Sequence, residues 1–249
     1  MSMELTLPRT QFPLYEHRVR SKLDDLISRV FSAPFAKVFS SPIASPGAAV
    51  ANPWYLSGGI AAANCRGAYA AKGAASLAAS YTNLANAALP LTEGIAPTWD
   101  VTTGWYSDGT KYLLTGINTT TTSSIVVRCT AELSPGSGIS GHMIGASVVN
   151  HYGILALAAN YGTYFIYAGN VYLIGFGPYS GCYILTPTAA YIDGVKKATV
   201  SGTNNSSPIS IFCRGAGNSF GAGYITHVAE YNIAIDSYVS ELTTAINAL

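Results

Sequence analysis

The carboxylates of this sequence beyond residue 37 lack the spacing that would place a hydrolytic pair on one face of a single strand. A glycosidase needs two carboxyl groups at a fixed separation, one to donate a proton and one to act as nucleophile or base. No two acidic residues beyond residue 37 lie two positions apart, as one strand carrying both would require. These residues are Glu93, Asp100, Asp108, Glu132, Asp193, Glu230, Asp236 and Glu241. We therefore predict no catalytic residue and a protein that is not an enzyme.

Other catalytic patterns are also missing. The four histidines, His17, His142, His151 and His227, are not spaced as ligand pairs on a helix or a strand. No Gly-x-Ser-x-Gly motif marks a nucleophilic serine. The glycine-rich segment 215–221 has its last glycine one residue late for a phosphate-binding loop, and no helical pattern follows it. We interpret this segment as a connection between strands.

The four cysteines are Cys65, Cys129, Cys182 and Cys213. They form no CxxC pair, so a zinc site is not expected. Each lies in an apolar or strand-like context, which favours buried free thiols, with disulfides as the alternative.

Tyrosines are the most suggestive side chains for binding. The chain has 17 of them, and several lie in turn-rich places. The candidate ligand-binding residues are Tyr106, Tyr152, Tyr161, Tyr164 and Tyr179. Aromatic faces in such places stack on sugars or on a partner subunit. The alternative is that alternating tyrosines cover one face of a β-sheet.

Composition excludes several classes of protein. Charged residues make up 10% of the chain, against roughly 25% in an ordinary soluble domain. The net charge of +1 argues against nucleic-acid binding, which needs a basic face. No run of 18 apolar residues predicts membrane insertion. The N-terminus lacks the pattern of a secretory signal peptide, so synthesis in a cytoplasm is expected.

Charge is concentrated at the N-terminus, where ten of the 25 Lys, Arg, Asp and Glu residues fall within the first 37 positions. Residues 14–31 are predicted to form an amphipathic helix. Its apolar stripe comprises Val19, Leu23, Leu26, Ile27 and Val30. A short helix needs a partner, and its own sandwich, a sister subunit or another protein would each serve. Prolines in residues 40–53 predict an extended linker. We predict an attachment or oligomerisation arm over 1–53 and one folded domain over 54–249.

From about residue 54 the sequence is predicted to be all-β. Strand-like runs recur between turn signals: 124–130, 143–149, 153–159, 161–168, 171–176, 182–185, 190–192, 197–200 and 209–213. Asp193-Gly194 predicts a two-residue hairpin. Residues 236–249 are predicted to form a helix capped by Asp236, with a stripe of Val239, Leu242, Ala245 and Ile246. The expected fold is a two-sheet antiparallel jelly-roll sandwich with an N-terminal helical arm and a short C-terminal helix.

Three segments together resemble the concanavalin A-like lectin/glucanase superfamily, and its laminin-G-like branch in particular. They are GWYSDGTKYLLTGI at 104–117, AYIDGVKKATV at 190–200 and GYITHVAEYNIAIDSYVSEL at 223–242. Residues 60–99 are similar to the opening of laminin-G-like domains in bacteriophage structural proteins. In place of the Trp-His-Val strand of many relatives, this chain has CYIL at 182–185, and it lacks the Glu-x-Asp-x-Glu strand of the glucanases.

This resemblance implies a concanavalin A-like, non-enzymatic virion protein, such as a capsid decoration, head-fibre or tail-fibre subunit. The expected partners are other virion proteins, further copies of the chain and a cell-surface glycan. A stand-alone carbohydrate-binding lectin is the alternative, and a glycoside hydrolase is a third. Many relatives bind calcium on the sandwich rim, where Asp108, Asp193 and Asn218 are the candidates. Calcium needs six to eight oxygen ligands, and no carboxylate cluster is visible, so no cofactor is predicted.

Overall fold

The computed structural model describes residues 53–130, 141–146, 152–156, 163–175, 180–204, 206–215 and 220–249. The predicted arm helix, with Val19, Leu23, Leu26, Ile27 and Val30, lies outside the described residues, as do Tyr161, Tyr179 and Asn218. No helix of the described residues is long and apolar enough to cross a membrane.

The described residues contain fifteen strands. In chain order, β1 to β15 span Cys65–Ala70, Thr92–Ile95, Thr98–Asp100, Gly104–Asp108, Tyr112–Asn118, Ser124–Cys129, Gly141–Ala146, Tyr152–Ala156, Thr163–Tyr167, Asn170–Gly175, Gly181–Leu185, Ala189–Ile192, Val195–Thr199, Pro208–Ile211 and Ala222–Tyr231. Helices α1 and α2 span Leu77–Ser80 and Val239–Asn247, and short 3-10 helices span Trp54–Gly59, Ala62–Asn64 and Asp236–Tyr238.

The strands form two antiparallel sheets that pack as a sandwich, which confirms the predicted fold class. Sheet A has the order β13-β12-β11-β6-β15-β4-β3, and β1 pairs with the half of β15 that β4 leaves free. Sheet B has the order β10-β9-β8-β7-β14-β5-β2. The predicted hairpin is also confirmed, because Asp193 (φ 49°) and Gly194 (φ 78°) connect β12 to β13 in the left-handed conformation that the turn requires.

The main core lies between the sheets and follows from the period-two pattern of the strands. Alternate residues of β6 face inward, so that Ile125, Val127 and Cys129 are buried against sheet B. Phe165 of β9 and Tyr183 of β11 meet across the layer with ring centroids 6.3 Å apart. All four cysteines are buried free thiols, as the sequence indicated.

A second apolar cluster lies on the outer face of sheet A beneath α2. Val239, Leu242 and Ile246 of the predicted stripe are buried there, and Ala245 is half-buried. Helix α2 and the residues packed around it cover one half of this outer face, whereas the half formed by β3 and β4 is exposed to solvent. The fold thereby presents one open patch of sheet A.

One detail of the sequence interpretation was wrong, and one strand was missed. Asp236 does not cap the helix. Its Oδ1 instead accepts hydrogen bonds from the hydroxyls of Thr186 (2.8 Å), Thr188 (2.7 Å) and Tyr191 (2.8 Å), so it joins the β11–β12 turn to the chain before α2. Strand β1 was not among the strand-like runs that the sequence predicted.

Candidate functional site

The candidate site is the open patch of sheet A, called here the tyrosine face. It consists of the outward side chains of Thr98, Asp100, Tyr106, Asp108 and Tyr224. Alternation along β4 produces it, because Trp105 and Ser107 are buried while Tyr106 and Asp108 point away from the core.

Two tyrosines form the centre of this face. Tyr106 of β4 and Tyr224 of β15 are direct cross-strand partners, and their ring centroids lie 4.7 Å apart at an interplanar angle of 37°. Both side chains are half-buried. The pair thus forms a continuous aromatic surface on the sheet, with part of each ring open to solvent.

The strands beneath this pair are fixed by the buried Trp105 and the half-buried Trp99. The indole Nε1 of Trp105 donates a hydrogen bond to Oγ of Ser80 (2.8 Å), and Trp99 donates to the carbonyl of Ala71 (2.8 Å). Gly104 permits a close approach of β4 to β15, since a Cβ there would lie 2.5 Å from the carbonyl oxygen of Ile225. The tyrosine pair therefore sits on rigid strands, which favours a preformed binding surface.

Two exposed carboxylates flank the tyrosine pair. Asp108 follows Tyr106 on β4, and Asp100 of β3 lies opposite Gly104. Hydrogen bonds to Oδ1 of Asp100 from Thr102, and to Oδ1 of Asp108 from Thr110, hold the pKa of each carboxyl below its usual range. Both groups are therefore charged acceptors at neutral pH.

The other candidate tyrosines do not join this site. Tyr152 is 1% exposed, faces the core from β8 and donates its hydroxyl to the carbonyl of Ser123 (3.0 Å). Its prediction as a surface binding residue was wrong, because its strand points it inward beside Ile154. Tyr164 is half-buried on β9 of sheet B and so belongs to the other sheet.

The calcium candidates that the structure describes lie far apart. Asp108 ends β4, whereas Asp193 is at the β12–β13 turn, and three strands of sheet A separate β4 from β12. Oδ1 of Asp193 accepts a hydrogen bond from the amide of Cys182 (2.8 Å). No group of three His, Cys, Asp or Glu side chains that could hold a metal occurs among the described residues.

Basic side chains border the tyrosine face where the covered half of sheet A begins. Arg128 of β6 is the cross-strand partner of His227, whose ring packs edge-on against Trp54 at 5.4 Å. Burial, together with the charges of Lys72 and Arg128, lowers the pKa of His227 to about 4. His227 is therefore neutral at physiological pH and serves packing.

Glu230 is a buried carboxyl group that the sequence interpretation did not single out as unusual. It is 2% exposed and lies between the sheets, on the same side of β15 as Val228. Burial raises its pKa to about 8, an effect that the nearby Arg66 charge opposes only in part. The Glu230 carboxyl is therefore enclosed in the sandwich and is not part of the tyrosine face.

Comparisons with known proteins support the fold. No family model matches the sequence, and no curated protein matches it. Among solved structures, a Trypanosoma rangeli sialidase in complex with sialic acid matches 74% of this chain at 14% identity, with a TM-score of 0.54. The same sialidase in complex with 2,3-difluoro-KDN matches the same share at 16% identity and a TM-score of 0.55. The binding domain of Paraclostridial Mosquitocidal Protein 1 matches 74% at 14% identity and 0.54.

These likenesses show a shared β-sandwich. The chain spans 33% of the length of the sialidase chains and 53% of the toxin domain chain. A resemblance to bacteriophage laminin-G-like domains remains a prediction from the sequence.

The residues that sequence reasoning missed are Tyr224, Asp100 and the role of Gly104. Tyr224 lies between Gly223 and Ile225 on β15, and it becomes part of the site only through its pairing with Tyr106. The signal that was available is the alternation of 222–231, which places Tyr224 on the face opposite Ile225.

Proposed function

We propose that this chain is a carbohydrate-binding module whose tyrosine face holds a glycan. The observation that carries the proposal is the closely packed, partly exposed pair of Tyr106 and Tyr224 on rigid strands, flanked by two charged acceptors. The pair supplies a partly exposed aromatic surface with little conformational entropy to lose on binding.

The chemistry of the face suits a sugar ring. The apolar C–H side of a pyranose packs on the aromatic surface, while its hydroxyls donate to carboxylates at the margin. Hydrogen bonds to an ionised acceptor are about twice as strong as neutral ones, so Asp100 and Asp108 orient the ring that the tyrosines hold. Few polar groups around an aromatic floor are typical of specific small-ligand sites.

The structural neighbours support the same class of function. One is a sialidase in complex with sialic acid, and another is described as a binding domain. We propose binding without hydrolysis for this chain. A general acid needs a raised pKa, and the two carboxyls on the tyrosine face have lowered ones, while the raised pKa of Glu230 belongs to an enclosed group.

The test is a glycan array followed by titration calorimetry of the best ligand. Tyr224→Ala is expected to weaken binding at least ~30-fold, since truncating a central aromatic contact costs about 2 kcal/mol. Tyr164→Ala is the matched control, because it removes a half-buried tyrosine from the other sheet, and it is expected to leave affinity unchanged. Equal losses in the two variants, or no ligand on the array, would rule the proposal out.

We further propose that residues 1–53 attach the module to a larger assembly, with a virion as the favoured setting and other virion proteins as partners. The concentration of charge in residues 1–37 beside a weakly charged sandwich supports a separate role for this arm. A stand-alone lectin without such a partner is the alternative. Co-purification of the full chain with virion particles tests the setting, and its absence would favour the lectin.

A further inference from the structure

The edges of the two sheets differ in how they are protected. An exposed edge strand invites pairing with another chain, and charged side chains are a common means of preventing it. Four of the five edge strands among the described residues carry such charges. These are Lys196 and Lys197 on β13, Asp100 on β3, Arg66 on β1 and Glu93 on β2. The fifth, β10, has the sequence NVYLIG and no charge.

β10 is apolar on its outward side and well anchored on its inward side. Val171 is 58% exposed and Leu173 is 56% exposed. On the inward side Tyr172 and Ile174 pack against the core, and the Tyr172 hydroxyl donates to the carbonyl of Ser201 (3.3 Å). These contacts hold β10 in the extended conformation that pairing with another strand requires.

The exposed apolar side chains of β10 lie beside a half-buried and a buried side chain of β9. Leu173 is the cross-strand partner of Tyr164 on β9, and Val171 is the partner of Ile166. Within the described part of the chain, β9 is the one strand that hydrogen-bonds to β10. The other edge of β10 therefore pairs with no strand of the described residues, and it lies beside the exposed Val171 and Leu173 and the half-buried Tyr164.

We propose that β10 is a self-association edge, at which a second copy of this chain adds its own β10 in antiparallel orientation. Antiparallel pairing of a strand with itself generates a two-fold axis and a closed dimer. The axis is normal to the sheet, so Val171 and Leu173 of both copies lie on the same face and form one apolar cluster. The two copies of sheet B become one continuous sheet.

A second copy fits this edge because the strand bears no charge that would oppose its own copy. At β13 the same pairing would bring Lys196 and Lys197 close to the same residues of the other copy, and like charges opposite each other are destabilising. This inference is independent of glycan binding, since β10 belongs to sheet B and the tyrosine face to sheet A.

The test is the mass of the full-length chain by sedimentation velocity and light scattering. Leu173→Lys is expected to halve the mass of the assembly and to raise its dissociation constant at least ~100-fold, because it places two like charges at a buried pairing edge. Val195→Lys is the matched control: Val195 is also 56% exposed, but it lies on the charged edge β13. That variant is expected to keep the wild-type mass.

Hydrogen exchange supplies a second readout. Amides of 170–175 are expected to exchange more slowly in the wild type than in Leu173→Lys, with protection that grows with protein concentration. A wild type that stays monomeric at about 100 µM, or a Leu173→Lys variant with wild-type mass and protection, would overturn the proposal. Circular dichroism of both lysine variants establishes that each is folded.

Discussion

Replacing Glu230 by glutamine should make the sandwich more stable at neutral and alkaline pH. The carboxyl is fully buried between the sheets, and burial raises its pKa from the ordinary 4.5 to about 8. The folded chain therefore keeps this proton at pH values where the unfolded chain has released it. The contribution of Glu230 to the free energy of unfolding is therefore greatest below pH 4.5, and it is lost as the pH rises toward 8.

The size of this effect follows from the shift. Between the two pKa values the loss approaches about 1.4 kcal/mol per pH unit, so the free energy of unfolding should fall by about 3 kcal/mol between pH 5.5 and 7.5. Glutamine carries no titrating proton and has nearly the same shape. The Glu230→Gln variant should match the wild type near pH 5 and exceed it by several kcal/mol at pH 8.

The assay is urea unfolding followed by circular dichroism at half-unit steps from pH 5 to 8.5. Glu241→Gln is the control, since it removes a carboxyl group that is exposed on α2 rather than buried between the sheets. The reasoning is refuted if Glu230→Gln retains the wild-type slope, because the pH dependence would then arise from other groups.

Three further predictions concern other parts of the chain. Asp236→Ala should lower the free energy of unfolding by about 2 kcal/mol in urea titrations, since three hydroxyls lose a shared acceptor, whereas Asp108→Ala should change it by less than ~0.5 kcal/mol. Gly104→Val should destabilise the fold and weaken glycan binding, because the φ of 83° at Gly104 and the nearby Ile225 carbonyl leave no room for a side chain. Wild-type affinity of this variant in calorimetry would count against the prediction. Deleting residues 1–53 should leave a soluble domain that is β-rich by circular dichroism and that no longer docks onto its assembly. Unfolding of the truncated chain would show that the arm belongs to the core.

Local patterns were sufficient for the fold class and for several elements. The alternation in Ser124–Cys129 and the Asp193-Gly194 turn depend on neighbouring residues alone, and both were predicted correctly. The strand β1, with the sequence CRGAYA, was missed because small residues carry little strand preference. Pairing with β15 stabilises it, and such pairing is not visible in a local window.

The candidate site was predictable only in part, for the same reason. Tyr106 was identified from its turn-rich context, but Tyr224, 118 positions later, becomes its partner only through the register of β4 on β15. Tyr152 was chosen as a binding candidate because of its turn-rich surroundings. The apolar Ile154, two residues later on the same face of the strand, indicated instead that Tyr152 points inward. Glu230 shares its parity with Val228, so its burial could have been recognised from alternation along β15.

A crystal structure of the chain with the best glycan from the array tests the central claim most directly. The account predicts a sugar ring lying over Tyr106 and Tyr224, with hydroxyls directed at the carboxylates of Asp100 and Asp108. A ligand bound elsewhere on the sandwich, with the tyrosine face unoccupied at saturating glycan, would contradict it.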